Sequence, residues 1–223
     1  MYTGIVQGKE KVLSLEKKEG FSTLTVSNNN HFFDDVSVGA SVAINGTCLT
    51  VTQFKNDIVW FDISDFTADV TTLKFLNVGD EVNIERSHQM NKENGGHSLY
   101  GHIEGAAEVV DFIKTGETYR LVINIPGDNI KYFFHKGFIG LHGCSLTING
   151  INEEEKTIEL NLIPETLRAT NLGNIKVNDL LNYEIDQTTR TIVDTISRSM
   201  NAIYPMDFKM HRDGKGVNPR EHR

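Results

Sequence analysis

"INGTCLTV", residues 44–51, is rewritten at residues 141–148 as "LHGCSLTI". Gly46 and Gly143 hold their place, as do Thr50 and Thr147, while Asn45 becomes His142 and Cys48 becomes Ser145. Each stretch reads as a glycine turn leading into an alternating strand. A chain that writes one strand twice is a duplication, and that decides the fold.

The repeat widens in both directions from this strand. Cys48 and Ser145 lie 97 residues apart, and at that spacing "TGIVQG" (Thr3–Gly8) falls on "YGHIEG" (Tyr100–Gly105). Further on, Phe61–Glu85 falls on Leu160–Glu184 at a spacing of 99, the two added residues lying in a turn. Two copies of about 90 residues make two similar domains, because a solenoid needs three or more short units. Within each copy the pattern is short and alternating. "SVAINGTCLTVTQF" puts Val42 and Ile44 on one face, with Cys48 and Thr50 as candidates to continue it, and "EVNIERS" and "TIELNLI" alternate likewise. "NVGD" and "EEEK" between such runs are turn chemistry. Short strands at this spacing predict a small closed barrel per copy.

Only after the second copy does the period change. "QTTRTIVDTISRSMNAI" places Ile192, Ile196, Met200 and Ile203 on one stripe, a helix with a narrow apolar seam. The seam either docks on its own barrel or joins helices of different chains. The last stretch, "HRDGKGVNPREHR", is basic with Gly and Pro and reads as a frayed tail.

Composition narrows the partners. A hydrophobic share of 39% and a charged share of 23% over 223 residues are those of a soluble globular chain. The net charge of −8, with no basic cluster, argues against nucleic acid. No apolar run suits a membrane span, the polar start is no signal peptide, and two cysteines of dissimilar setting suggest a reducing cytoplasm. His97, His102, Cys48 and Cys144 lack the paired spacing of a zinc site, so no metal is expected.

Taken in order, "MYTGIVQG", "NGTCLTVT", "GGHSLYGHIEG", "GCSLTI" and "IPETLRATNLG" resemble the riboflavin synthases of the alpha-chain type, over residues 1–200. Lumazine proteins and yellow fluorescent antenna proteins share that superfamily. The resemblance implies a mainly β fold of two six-stranded antiparallel Greek-key barrels and a C-terminal α-helix. Its parts would be residues 1–97, residues 98–186, a trimerisation helix at 187–203 and a flexible tail at 204–223. It implies a homotrimer and a dismutation, in which two 6,7-dimethyl-8-ribityllumazine molecules yield riboflavin and 5-amino-6-ribitylaminouracil without metal or cofactor. A non-catalytic lumazine- or flavin-binding antenna is the alternative.

Such chemistry needs a proton taken from the acidic 7-methyl group, a nucleophile at C7 of the other ring, and both rings oriented. His102 is the acid/base candidate, its counterpart being Ile5; closing a turn is its structural alternative. Cys48 is either a small hydrophobe on a strand or a thiol at the first pocket. By resemblance, Tyr2 and Thr3 fold over a bound ring, Tyr2 standing where the family has Phe. Gly4, Ser41, Thr50, Asp62 and Thr67 would bind substrate, and so would Lys136, Ser145, Thr147, Ile163 and Thr166. Thr50 and Thr147 are equally plain strand formers. His97 is a substrate contact or a turn-closing histidine, and Asp186 a ribityl contact or the cap of the helix after it. Two departures stand out: Phe66, Ala68, Asp69 and Lys74 replace the counterparts of Glu165, Leu167, Arg168 and Gly173, and His142 stands where the resemblance implies Asp.

Overall fold

The computed structural model describes residues 1–89 and 91–203. The first copy folds as β1 (Gly8–Lys17), β2 (Phe21–Ser27), β3 (Ser41–Ile44), β4 (Thr47–Lys55), β5 (Ile58–Ser64) and β6 (Glu81–Arg86). These strands close an antiparallel barrel in the order β1-β2-β5-β4-β3-β6, with β5 intruding between β2 and β4 as in a Greek key. The second copy repeats it: β7 (Gly105–Thr115), β8 (Thr118–Asn124), β9 (Phe138–Leu141), β10 (Cys144–Asn152), β11 (Thr157–Leu162) and β12 (Leu180–Ile185). Its closed order is β10-β11-β8-β7-β12-β9, the same neighbours throughout. Even the irregularities repeat. Bulges between Val12 and Ser14 and between Val51 and Gln53 recur between Val109 and Asp111 and between Ile148 and Gly150. Such bulges bend strands enough to close a small barrel.

Alternation fills each interior. Leu24, Val42, Ile44, Val51, Phe61 and Ile84 form one core, and Leu121, Ile123, Leu141, Ile148, Leu160 and Tyr183 the other. Each such side chain contributes roughly 1.5–3 kcal/mol on burial. The strands' other residues point outward, and here one expectation is corrected. Asn45 and Gly46 form a two-residue turn with φ of 45° and 82°, which pairs Val42 with Leu49 and Ala43 with Cys48. Leu49 and Val51 therefore continue the core face of Val42 and Ile44, while Cys48 and Thr50 stand on the outside.

The barrels meet at these turns. A Cβ on Gly46 would lie 2.7 Å from Gly143 N, so the two turns touch backbone to backbone and admit only glycine. Asn182 Nδ2 donates to Asn45 O and Asn83 Nδ2 to His142 O, both at 2.9 Å. Each turn residue also accepts a strand N–H: Asn83 donates to Asn45 Oδ1 at 2.8 Å, and Asn182 to His142 Nδ1 at 2.9 Å. Asn45 and His142 are thus alike in function. Both adopt positive φ and both offer one side-chain acceptor to the same backbone position.

Short helices α1 (Asp65–Val70) and α2 (Pro164–Ala169) follow β5 and β11, and α3 (Gln187–Ile203) ends the described chain. Asp186 Oδ1 accepts from Thr189 N and Oγ1 at 2.7 and 2.8 Å, which caps α3. The helix lies on the second barrel through Val193, through Tyr132 Oη donating to Asp194 Oδ1 at 2.6 Å, and through the Arg190–Glu104 pair. The stripe does not make that contact, because Ile192, Ile196 and Met200 are 54%, 58% and 51% exposed. The side chain of Ile203 and the expected tail at 204–223 lie outside the described residues. Among the described residues no helix is long and apolar enough to cross a membrane.

Candidate active site

The outward faces of the two barrels carry the polar residues singled out from the sequence. On the first, Ser41 pairs with Thr50 and Ala43 with Cys48 across β3 and β4. Thr23 pairs with Asp62 on the next strands, its Oγ1 donating to Asp62 Oδ1 at 2.9 Å. Thr67 follows on α1, its N–H donating to Ser64 Oγ at 3.1 Å. On the second face Phe138 pairs with Thr147, and Gly140 with Ser145. Lys136 is exposed at positive φ just before β9, Ile163 is 54% exposed at the start of α2, and Thr166 is half-buried on it.

What completes each face comes from the other copy. Residues preceding β1 and β7 form two arms, joined by Tyr2 N donating to Leu99 O at 2.7 Å and Leu99 N to Tyr2 O at 3.0 Å. The arms then cross. Ser145 N donates to Gly4 O at 2.8 Å, whereas Cys48 N donates to Gly101 O at 3.1 Å. The first arm therefore lies on the second face, and the second arm, with His102, on the first. Gly4 and Gly101 have φ of 73° and 74°, and a Cβ on either would sit 2.5 Å from the Cβ of Ser145 or Cys48. Only glycine lets the arm lie this close.

Two carboxylates that the sequence reading passed over anchor the arms. Glu85 Oε1 accepts from Thr3 N at 2.6 Å and Thr3 Oγ1 at 2.8 Å, and its Oε2 from Gly4 N at 3.0 Å. Glu184 repeats this, accepting from Tyr100 N at 2.7 Å and Gly101 N at 3.0 Å. Burial pushes both carboxyls up from the ordinary range, while the N–H donors pull them back. A signal was available: both copies carry Glu as the next-to-last residue of a buried strand, after Ile84 and after Tyr183.

The crossing regroups the candidates. Ser41, Cys48, Thr50, Asp62, Thr67 and exposed His102 belong to the first face. Tyr2 is only 1% exposed, its Oη donating to Cys48 Sγ at 3.1 Å, so its ring backs the thiol and is not presented for stacking. Burial, and next the thiol itself, push its phenol above the usual range. The second face gathers Thr3, Gly4, His97, Ser145 and Thr147. His97 N donates to Ser145 Oγ at 3.1 Å, its Nδ1 lies 2.6 Å from that oxygen, and its ring stacks on Phe138 at 5.0 Å. Buried His97 is held below the ordinary histidine range, with Asp186 opposing, so a neutral ring orients the Ser145 hydroxyl. The two thiols differ in kind: burial lifts Cys144 to about 12, whereas Cys48 is half-buried. These faces are open. A cleft of about 670 Å³ lies between the barrels at Asn45, Thr72, His142 and Asn171, and holds none of the candidates.

Comparison with known proteins agrees with the duplication. A family model described as "Lumazine binding domain" matches residues 3–87 and again 100–186. A riboflavin synthase of Escherichia coli (strain K12) is 40% identical over 203 residues, covering 91% of this chain and 94% of that protein. One from Buchnera aphidicola subsp. Schizaphis graminum is 43% identical over 199 residues, covering 89% and 95%. Among solved structures, LumP complexed with 6,7-dimethyl-8-(1'-D-ribityl) lumazine superposes with a TM-score of 0.76 at 28% identity, covering 84% of this chain and 100% of that one. LumP complexed with riboflavin gives 0.77 at 29% identity and the same coverage.

Proposed function

The chain belongs to the riboflavin synthase family of duplicated lumazine-binding domains, and from that premise we propose how its two faces act. Each face binds one 6,7-dimethyl-8-ribityllumazine. The enzyme transfers a four-carbon unit from one ring to the other, so that riboflavin and 5-amino-6-ribitylaminouracil leave. Two identical reactants account for all the atoms of both products, and no oxidant or reductant is needed.

The observation that carries this reading is the pair of matching open faces, each closed on one side by the other copy's arm. A face that stays open in one chain suits completion by a neighbour, so the reacting pair lies between the first barrel of one subunit and the second barrel of the next. The exposed Ile192, Ile196 and Met200 stripe supports a homotrimer built on α3. Holding the rings face to face supplies the larger share of the acceleration, since effective molarities reach ~10⁵ M or more.

His102 takes the 7-methyl proton and returns it, a role worth about 10²–10⁴-fold. Cys48 borders the ring with its thiol oriented by Tyr2. Ser41, Thr50, Asp62 and Thr67 hold the ribityl chain and ring edge on the first face. On the second, Thr3, Gly4, Ser145, Thr147, Ile163 and Thr166 do so, with Lys136 at the rim, His97 fixing Ser145, and Asp186 joining the contact while capping α3.

The test is to incubate the protein with the lumazine alone and follow riboflavin absorbance. Riboflavin must appear at half the rate at which lumazine disappears. Tight binding with no riboflavin would make the chain an antenna-like binder instead.

A further inference from the structure

Glu184 never reaches an outward face, yet it controls what one of them contains. The carboxylate is 2% exposed on β12, and both its oxygens are engaged by the second arm, at Tyr100 N and Gly101 N. Gly101 in turn lies against Cys48, leaving no room for even a methyl group. His102 is the next residue. The arm is also tied by the Leu99 pairing with Tyr2 on the far side of Tyr100, and by Glu104, whose N–H donates to Tyr183 O at 2.9 Å and whose carboxylate pairs with Arg190. Between these two ties, the Glu184 clamp and the Cys48–Gly101 bond hold the residues immediately before His102.

We infer that Glu184 is a positioning residue of the reaction: its buried carboxylate sets the His102 arm against the Cys48 strand of the other barrel. The same device recurs at Glu85, which clamps Thr3 and Gly4 against Ser145. A carboxylate suits the task because its oxygens only accept, and each arm presents consecutive N–H donors. An amide fails there, since its NH2 would face a backbone N–H. The inference rests on the first-face site proposed above, in which His102 moves the proton.

Steady-state kinetics on the full-length chain test it, with Glu184→Gln, His102→Gln and the double variant. The expected result is a fall in kcat of about ten-fold or more for Glu184→Gln, with KM changed by less than about three-fold. The double variant should fall no further than His102→Gln alone, because a misplaced histidine and a missing one are the same loss. Glu184→Asp, which keeps two accepting oxygens, should recover part of the rate. If Glu184→Gln does not fold, Gly101→Ala asks the same question, since its Cβ pushes the arm off Cys48 while Glu184 stays. Effects of Glu184→Gln and His102→Gln that multiply, or a Gly101→Ala enzyme with unchanged kcat, would overturn the inference. An unchanged kcat in His102→Gln itself would sink the site reading instead, and so tells the two failures apart.

Discussion

At the scale of single residues, the question raised by Asn45 and His142 has a chemical answer. The position needs positive φ and one lone pair aimed at a backbone N–H, and it is blind to whether an amide or an imidazole supplies it. The imidazole brings a pH dependence that the amide lacks. Burial holds His142 down to about 4 from an ordinary 6.5, because protonation would charge a buried ring and remove the acceptor. A group whose folded pKa is depressed contributes stability that is present above its unfolded pKa and lost as pH falls toward the folded one. Here the window runs from 6.5 down to about 4. Glu85 and Glu184, raised by burial, act in the opposite sense, so the comparison must isolate the histidine. Between pH 7 and pH 5 the protein should lose about 2 kcal/mol more than a His142→Asn variant, measured by denaturant unfolding at both values. Equal losses would mean that His142 is not the group responsible. The sequence marked His142 as odd but could not say why, since the acceptor role appears only once Asn182 is folded against it. His97 shows the same limit: only the folded contact with Ser145 separates a turn histidine from one on a binding face.

Among elements, the strands were legible and the arms were not. Alternation and turns such as Asn45-Gly46 are local, so "SVAINGTCLTV" states its hairpin outright. Where it misled was in carrying one face straight across a two-residue turn, which instead pairs Val42 with Leu49. The arms carry no periodicity, and their exchange is a long-range contact that no spacing of 97 reveals. His102 therefore reads as part of the second copy and stands on the first barrel. The helix α3 falls between these cases. Its stripe was visible, but what faces it was not, and the barrel proves to be held by Val193, Arg190 and Asp194 on another side. That separation permits a clean test. Ile192→Lys with Ile196→Lys charges the seam without touching those contacts, so the chain should keep its circular dichroism and thermal midpoint. Its mass by light scattering should drop from three chains to one at micromolar concentration, and truncation after Asp186 should do the same. A trimer that survives both, or a wild type that is already monomeric, would refute assembly through α3.

For the whole molecule, the two faces are copies that have ceased to be equivalent. The first has Cys48, Asp62 and, through the crossed arm, His102. The second has Ser145, Asn161 and Ile5 at the matching positions, and the His97–Phe138 stack besides. Trp60, the sole tryptophan, lies on β5 two residues from Asp62, so its fluorescence reports on the first face. Riboflavin should quench it in wild type and in Ser145→Cys, and much less in Thr50→Glu, which places a charge on the first face. Equal quenching in all three would mean that the ligand does not sit beside Asp62.

Whether the reacting pair spans two chains is decided by mixing. His102→Gln damages only the first face and Thr147→Glu only the second, and each alone should be nearly inactive. Refolded together at equal amounts, the subunits assort at random, and roughly a quarter of the junctions then join an intact first face to an intact second face of a neighbour. Activity should return to about that fraction of wild type, though neither parent contributes any. If both lumazines were bound by the faces of one chain, every chain in the mixture would still carry a defect, and no activity would return. The mixture separates the two arrangements because the exchanged arms bind the barrels within a chain, whereas the α3 seam and the open faces stay available to a neighbour.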